Sequence, residues 1–246
     1  MTTLNMIVLE KVDSTNNYAM ALIKKGSISN GMGVFAMEQT NGKGRRGKQW
    51  NARPGQNITL SVVAEMKWQP VLSQFPLSVA VALACRDFIA SFVKEKVFIK
   101  WPNDIFINDS KAAGVLIENV IKGTLWQWTV IGIGVNVNQV DFDNVDAKVT
   151  SLKRETGGMY DVLTLAGKLK DFVLTRIEDL KKGNFDQMLQ EYNEHLYGRN
   201  CLIKLKKESV VFETTIRAVS ESGQLITWDV LERRFNFDEV SFRGLI

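Results

Sequence analysis

The fold class is decided by residues 97–139, which read VFIKWPNDIFINDSKAAGVLIENVIKGTLWQWTVIGIGVNVNQ. Short polar breaks at Pro102-Asn103, Asn108-Asp109 and Lys122-Gly123 divide this stretch into apolar segments of strand length. Connections this short join antiparallel neighbours, because a parallel pair needs a crossover of roughly a dozen residues or more. The stretch therefore predicts an antiparallel meander.

The segments on either side of the meander predict an α+β domain, in which a mixed, mostly antiparallel sheet has flanking helices. Apolar runs and apolar residues at helical spacing predict strands over 33–39 and 57–67, and helices over 73–95, 161–183 and 184–197. We expect Ser73 to cap the first helix. The second helix should bury one face, made of Leu165, Leu169, Phe172, Val173, Ile177 and Leu180.

The period of the sequence changes to two after Gly198. Apolar or small residues then alternate with polar ones at Val210, Phe212, Thr214, Ile216 and Ala218, and further short strands follow. This pattern predicts a small antiparallel β-barrel that is too small to be stable alone and docks on the larger part of the chain. The expected organisation is one domain over 1–197 and a barrel over 198–246.

Composition and charge narrow the function classes. The chain has 246 residues, of which 45% are hydrophobic and 24% charged, as is ordinary for a globular protein. Its net charge is +4, and four cations lie together at Lys43, Arg45, Arg46 and Lys48. Proteins that bind nucleic acid usually spread their cations along a face, so this local cluster indicates a small polyanion instead.

Other sequence features argue against several classes of protein. No apolar run is long enough for a bilayer and the N-terminus does not resemble a secretory signal, so we expect a cytoplasmic protein. Cys85 and Cys201 are far apart, which makes a structural zinc site or a disulfide framework implausible. His195 is the sole histidine and no G-x-S-x-G motif occurs, which disfavours a nucleophilic hydrolase.

The basic cluster lies in the segment TNGKGRRGKQW, residues 40–50, which matches G-x-G-x-x-G and nearly matches a P-loop. Both templates require a helix directly after the glycines, whereas Pro54-Gly55 and Asn57 prevent one here. The segment is therefore expected to be a strand-to-strand loop. Its like charges and glycines favour disorder until an anionic ligand orders it as a clamp. The alternative is a solvated turn with a run of charge.

A second group of polar and small residues lies at the ends of successive predicted strands. It comprises Lys100, Asn103, Asp104, Lys111, Gly132, Gly134 and Asn136. Each has a structural explanation of its own: Lys111 as a charge at a hairpin edge, Asp104 as a turn former, Asn136 as a strand-end cap. Their common position on one sheet favours a ligand site.

Four segments together resemble the signature segments of biotin–protein ligases. They are DSTNNYA (13–19), GKGRRGKQW (42–50), KWPNDIFINDSKAAGVLIE (100–118) and GIGVNVN (132–138). The resemblance implies a class II synthetase-like ligase domain followed by an SH3-like barrel. It also implies a monofunctional ligase without the N-terminal DNA-binding domain of the family's repressors. Lys43 stands where the family usually has an arginine, which keeps the charge but loses bidentate hydrogen bonding.

The resemblance implies that biotin and ATP, with Mg²⁺, form biotinoyl-5′-adenylate, and that a lysine of a biotin carboxyl carrier domain then attacks it. We expect no tightly bound prosthetic group and no DNA or membrane partner, and the edge strands of the predicted sheet would allow two copies to pair as a homodimer. Arg45 and Lys111 are the implied catalytic residues. The implied biotin-binding residues are Ser14, Thr15, Asn16, Gln39, Lys43, Gly44, Arg45, Lys111 and Gly114. The implied ATP-binding residues are Arg45, Arg46, Trp50, Asn103, Asp104 and Asn136, with Asp104 as an indirect Mg²⁺ ligand.

Two alternative functions stay open at the level of sequence. A lipoate–protein ligase would share the fold and the acyl-adenylate chemistry, but would act on a longer and wholly apolar acyl chain. A non-enzymatic nucleotide- or nucleic-acid-binding module would use the basic loop and the small barrel as its surface. The Arg-Arg-Gly motif and the KWPND segment favour biotin.

Overall fold

The computed structural model describes residues 5–142 and 148–245, with side chains up to Arg243. The larger part of the chain contains β1 (Met6–Val12), α1 (Thr15–Lys24), β2 (Gly33–Gln39), β3 (Ile58–Glu65), α2 (Phe75–Ala90), β4 (Val97–Lys100), β5 (Asp104–Ile107), β6 (Ser110–Lys122), β7 (Leu125–Val135), α3 (Leu152–Thr156), α4 (Val162–Lys181) and α5 (Phe185–Glu194). The C-terminal part contains β8 (Leu202–Lys207), β9 (Val210–Val219), β10 (Leu225–Trp228), β11 (Glu232–Phe235) and β12 (Ser241–Leu245).

The larger part is built on a seven-stranded sheet with the order β1-β2-β3-β7-β6-β5-β4. The meander predicted from residues 97–139 is confirmed, since β4, β5, β6 and β7 pair antiparallel in sequence order. The sheet is nevertheless mixed, because β1 pairs with β2 in parallel and α1 lies between them in the chain. The α+β class with a mostly antiparallel sheet is therefore confirmed.

The helices α2 and α4 cover one face of this sheet and enclose the main core. α2 is buried on nearly all sides, from Phe75 to Ile89. It begins at Phe75, and its N-cap is Gln74, which makes no side-chain cap hydrogen bond. The expected cap by Ser73 is therefore wrong, because the helix starts one residue later than a Ser73 cap requires.

The apolar stripe of α4 is confirmed with one exception. Leu165, Leu169 and Val173 are buried beneath it, whereas Phe172 is 36% exposed and touches Phe88 only edge-on. Asp161 caps this helix, since its side-chain oxygen accepts from the Thr164 amide at 2.7 Å. Capping by a carboxylate at this position also favours the positive end of the helix dipole.

The C-terminal part forms an antiparallel sheet with the order β11-β10-β9-β8-β12. The described pairings do not join β11 to β12, so closure of this five-stranded sheet into the expected barrel stays a prediction. Along β9 the predicted inward face begins later than expected, because Val210 is 62% exposed while Thr214 and Ile216 are buried. A register shift between Ile226 and Thr227 of β10 then breaks the alternation.

The C-terminal sheet packs against the larger part of the chain. Ile203, Ile216 and Val219 belong to the same buried apolar cluster as the residues of α2 and β4. Asn193 of α5 exchanges two hydrogen bonds with the Val219 backbone, at 2.6 and 3.0 Å. The predicted domain boundary between residues 197 and 198 stays a prediction.

Within the described residues, no helix is both long and apolar enough to cross a membrane.

Candidate active site

One cavity of about 270 Å³ lies over the face of the sheet on which α1 packs, beneath the loop 40–50 and beside residues 238–242. Its volume is close to the lower end of the range of about 300–1,000 Å³ that is usual for small-molecule sites. Almost all of the site residues implied by the resemblance line it: Ser14, Thr15, Asn16, Gln39, Lys43, Gly44, Arg45, Arg46, Trp50, Asn103, Asp104, Lys111 and Gly114.

A buried hydrogen-bond network forms one wall of this cavity. Gln39 ends β2, and its Oε1 accepts from the Thr15 amide at 2.8 Å and from the Thr15 hydroxyl at 3.0 Å. Ser61 of β3 lies 2.8 Å from that hydroxyl and donates to Asn16 Oδ1 at 2.6 Å. Because these side chains fix one another, the wall presents preset donors and acceptors to a polar ligand group.

The amide of Asn16 is also fixed from the opposite side. Its Nδ2 donates to Glu118 Oε2 at 2.7 Å and to the Leu116 carbonyl at 3.5 Å. Gly132 lies beneath it, where an added Cβ would stand 2.4 Å from Asn16 Oδ1. A glycine is therefore needed at this position of β7.

Trp50 covers two further glycines, Gly134 on β7 and Gly114 on β6. A Cβ on Gly134 would stand 2.2 Å from the Trp50 ring, and a Cβ on Gly114 would stand 3.3 Å from it. The ring Nε1 is buried without a hydrogen-bond partner among the described residues. The glycines thus create a flat recess that holds an aromatic ring inside the cavity.

The loop 40–50 joins β2 to β3, as expected, and it folds back on itself. The Gly44 amide donates to the Lys48 carbonyl at 2.7 Å, and the Trp50 amide donates to the Gly42 carbonyl at 2.9 Å. A single 3-10 turn spans Arg45–Gly47, and Arg46 has φ 57 in the left-handed region. That conformation costs a non-glycine residue about 1–2 kcal/mol, which the surrounding contacts must offset.

The protein supplies carboxylates for three of the four loop cations. Lys43 Nζ lies 3.8 Å from Glu118 Oε1, and Asp238 Oδ1 lies 2.5 Å from Arg46 Nε and 3.5 Å from an Arg45 terminal nitrogen. These compensating carboxylates were not predicted from the sequence. The carboxylates come from β6 and from the C-terminal turn, far away in sequence. That a ligand orders this loop stays a prediction.

Lys111 and Asp104 form the second charged group of the cavity. Lys111 Nζ lies 2.6 Å from Asp104 Oδ1 and 5.9 Å from the centroid of the Trp50 ring. Asn103 lines the cavity while its Nδ2 donates to the Val115 carbonyl at 2.7 Å. The ammonium of Lys111 is thus held beside the Trp50 ring by the carboxylate of Asp104 on the neighbouring strand β5.

Lys100 lies behind the cavity wall rather than in it. Its Nζ is 4.6 Å from the Phe106 ring centroid and 5.2 Å from that of Phe242. Burial lowers the pKa of Lys100, nearby Asp104 partly opposes this, and Lys111 and Lys48 lower the pKa further. The sequence grouped Lys100 with the site residues, but the structure gives it a supporting position.

Asn136 does not line the cavity either. Its Nδ2 donates to the Thr150 carbonyl at 3.0 Å, its amide donates to the Ala112 carbonyl, and its own carbonyl accepts from Leu152. The side chain is therefore used in attaching the segment 150–152 to the sheet. The structure thus gives no support to the expected nucleotide contact of Asn136.

Four residues of the site were missed from the sequence: Asp238 lines the cavity, whereas Ser61, Glu118 and Phe237 contact residues that line it. Ser61 and Glu118 occupy ordinary positions of strands, and Phe237 and Asp238 belong to a turn of the C-terminal sheet. Period-two alternation indicates only which face each strand residue takes.

His195 was expected near the end of a helix, and it is the C-cap residue of α5, away from the cavity. Burial lowers the pKa of its imidazole.

Two carboxylates line the cavity, those of Asp104 and Asp238, and Asp238 is already in contact with Arg45 and Arg46. The described residues contain no group of three or more histidine, cysteine, aspartate or glutamate side chains able to hold a metal ion. Mg²⁺ is commonly bound by one or two carboxylates together with substrate phosphates and water. The site therefore fits Mg²⁺ that arrives with a nucleotide, and Asp104 is the residue that would contact it or its water.

Comparisons with known proteins agree with this geometry. The sequence model described as "Biotin/lipoate A/B protein ligase family" matches residues 8–136. Over 167 residues the chain is 33% identical to "Bifunctional ligase/repressor BirA" of Salmonella typhimurium, covering 67% of this chain and 51% of that protein. Over 160 residues it is 35% identical to "Biotin--[acetyl-CoA-carboxylase] ligase" of Paracoccus denitrificans, covering 63% and 65%. The chain thus spans about half to two thirds of the length of these relatives.

A solved structure shares the fold over nearly the whole chain. The biotin protein ligase from Aquifex aeolicus in complex with biotin and ATP superposes with a TM-score of 0.82. The superposition covers 98% of this chain and 99% of that one, at 23% identity. The C-terminal sheet is therefore part of the common fold.

Proposed function

Because the chain belongs to the biotin/lipoate A/B protein ligase family, we propose that it is an ATP-dependent biotin–protein ligase. The observation that carries this proposal is that one cavity combines a preset polar wall, a recessed aromatic ring and two cations, Arg45 and Lys111. The polar wall suits the ureido group of biotin, the aromatic ring suits an adenine, and the two cations suit the biotin carboxylate and the α-phosphate of ATP.

In the first step, the carboxylate of biotin attacks the α-phosphate of ATP, the bond to the β-phosphate oxygen breaks, and pyrophosphate leaves with that electron pair. Two anions must approach each other, so the barrier falls when fixed cations stabilise the charge that develops on the phosphate. Arg45 and Lys111 are the cations placed to do this. The wall of Thr15, Asn16 and Gln39 would hold the ureido group of biotin, and Trp50 would stack on the adenine.

In the second step, the amine of an acceptor lysine attacks the carbonyl of the mixed anhydride. The amide bond forms, the carbonyl–oxygen bond to phosphate breaks, and AMP leaves. No side chain of the enzyme forms a covalent bond in either step. Closure of the loop 40–50 over the acyl-adenylate would exclude water and so protect it from hydrolysis until the acceptor arrives.

The acceptor is proposed to be a biotin carboxyl carrier domain, as the name of the Paracoccus denitrificans relative suggests for that protein. A second copy of the chain is a further partner, since β5 pairs with β6 only from Ser110 to Gly114 and leaves much of this longer strand open on that side. Light scattering over a range of concentrations measures whether dimers form. A cytoplasmic location is supported by the two free cysteines, Cys85 and Cys201.

The proposal is tested by incubating the protein with biotin, ATP and Mg²⁺ and measuring biotinoyl-5′-adenylate by mass spectrometry. Lipoate in place of biotin is the matched comparison, and an adenylate from lipoate alone would assign the chain to lipoate ligation. Adenylate from neither acid would reject acyl-adenylate chemistry. The nucleic-acid-binding alternative is disfavoured because Lys43, Arg45, Arg46 and Lys48 line one cavity of small-molecule size instead of spreading along a face.

A further inference from the structure

The carboxylate of Asp238 connects the C-terminal sheet to the basic loop. It lies between β11 and β12 and lines the cavity. One of its oxygens contacts both arginines, but unequally: Arg46 Nε is 2.5 Å away and the Arg45 nitrogen 3.5 Å. A carboxylate from the C-terminal sheet therefore contacts the two arginines of the loop, which are the loop residues with the most hydrogen-bond donors.

The turn that carries Asp238 is held firmly against the larger part of the chain. The ring of Phe237 lies 5.4 Å from that of Trp101 and 6.0 Å from that of Phe75. The guanidinium of Arg45 lies over the same Phe237 ring, 5.4 Å from its centroid. Within the turn, Glu239 accepts two hydrogen bonds from Asn236. The turn therefore holds the Asp238 carboxylate in a fixed position.

Both members of the closer ion pair have unusual backbone conformations. Arg46 has φ 57 and Asp238 has φ 79, in the left-handed region that non-glycine residues rarely adopt. Such conformations persist only when their surroundings enforce them, and they concentrate at ligand clamps and switch segments. Two of them facing each other across an ion pair indicate a contact with a function in the cavity.

We propose that Asp238 is a positioning residue that holds Arg45 and Arg46 in the closed loop as their internal counter-ion, and that a nucleotide phosphate displaces it from Arg45. The unequal distances assign the exchange to Arg45, whose weaker contact is lost first, while Arg46 keeps the loop attached to the turn. A phosphate offers charged oxygens in the geometry that a guanidinium binds best. The identity of this anion as a nucleotide rests on the proposed function.

The test uses Asp238→Asn, which removes the charge and keeps the shape. Asparagine is among the residues that best tolerate a positive φ, so the turn is preserved. Asp238→Gly is a second variant that removes the carboxylate and also tolerates this backbone. The matched control is Glu213→Gln, because Glu213 lies on the same sheet, pairs with Lys204 at 3.7 Å and does not line the cavity.

The first measurement is the rate of tryptic cleavage within residues 43–48 of the protein without ligands. Loss of the ion pairs should release the loop and accelerate cleavage about two- to fivefold in Asp238→Asn and Asp238→Gly. The second is calorimetry with ATP. Removal of the competing carboxylate should strengthen ATP binding by a similar factor of about two to five. Glu213→Gln should change neither quantity.

Cleavage of both variants at the parent rate would overturn the holding role of Asp238. Weaker ATP binding in Asp238→Asn than in the parent would overturn the exchange, since it would mean that the carboxylate helps to bind the nucleotide. Should the parent itself bind no ATP, the proposed function and the exchange would both fail. The cleavage rates without ligand would still decide whether Asp238 holds the loop.

Discussion

At the scale of single residues, the cavity depends on side chains whose partners come from distant parts of the chain. Asn16 is the clearest case, since Ser61 fixes its oxygen and Glu118 fixes its nitrogen. The segment DSTNNYA predicted Asn16 as a site residue, but nothing in it specifies the two partners. They are set by the pairing of β3 with β7 and of β7 with β6. The sequence predicted the second pairing as part of the meander but did not predict where β3 pairs.

The first prediction concerns Glu118. Replacing it by alanine leaves Asn16 Nδ2 with only the 3.5 Å contact to Leu116 and removes the carboxylate beside Lys43. A hydrogen bond to a charged group contributes about 1.5–3 kcal/mol, so the KM for biotin should rise roughly ten- to a hundredfold with kcat little changed. Steady-state kinetics measure both. The control is Glu65→Ala, because the Glu65 carboxylate is partly exposed and pairs with Lys67. An unchanged KM for biotin in Glu118→Ala would contradict the role assigned to Glu118.

The second prediction concerns Lys100, whose pKa is lowered chiefly by burial. Between that lowered pKa and the ordinary value of about 10.4, the folded state releases a proton that the unfolded state keeps. The free energy of unfolding should therefore rise with pH through this window, as the cost of burying the charge disappears. In Lys100→Met the rise should be absent. Urea unfolding between pH 7 and pH 10 measures it, and parallel curves for parent and variant would refute the account.

At the scale of secondary structure, the sequence predicts an element well where its boundaries are turns. The meander was predicted because Pro102-Asn103, Asn108-Asp109 and Lys122-Gly123 leave only antiparallel pairing. The strand β1 and the helix α1 were missed. Ser, Thr and Asn form caps and turns as readily as helices, so the sequence from Ser14 to Asn17 conceals a helix start.

The third prediction concerns the two glycines of β7. A methyl group on Gly134 would enter the Trp50 ring, whereas one on Gly132 would enter Asn16, two residues away on the same face. Overpacking of this kind costs about 1–3 kcal/mol, so Gly134→Ala should weaken ATP binding roughly five- to a hundredfold, and Gly132→Ala should weaken biotin binding similarly. Calorimetry with each ligand separately measures both. Each variant is the control for the other, and equal losses of both ligands in both variants would contradict the division of the cavity.

At the scale of the whole molecule, the C-terminal sheet is part of the site as well as of the fold. The change to period two after Gly198 predicted its strands and its docking, but no pattern in FNFDEV indicates that Asp238 lines the cavity or that the Phe237 ring packs against Arg45. Their position depends on how two sheets pack, and residues such as Gly223, whose carbonyl accepts from Trp101 Nε1 at 3.0 Å, make that packing specific.

The fourth prediction tests this connection with Phe237→Ala. Loss of contacts with Trp101 and Phe75 should lower the free energy of unfolding by about 2–4 kcal/mol and slow adenylate formation. Phe172→Ala is a matched control, because that partly exposed ring packs on Phe88 away from the cavity. It should lower stability without changing the rate at a temperature where both variants are folded. Equal rates in the two variants would argue against a role of the turn in the site.

The most direct test is biotin-dependent exchange of pyrophosphate into ATP, measured for the parent, Arg45→Ala and Lys111→Ala. Two anions can join in this cavity only if these cations stabilise the transition state, so Arg45→Ala should slow exchange about tenfold to a few hundredfold. Lys111→Ala should slow it at least as much, while Arg217→Ala, an exposed arginine of the C-terminal sheet, should leave it unchanged. Exchange that does not require biotin, or that proceeds at the parent rate in both variants, would contradict the account.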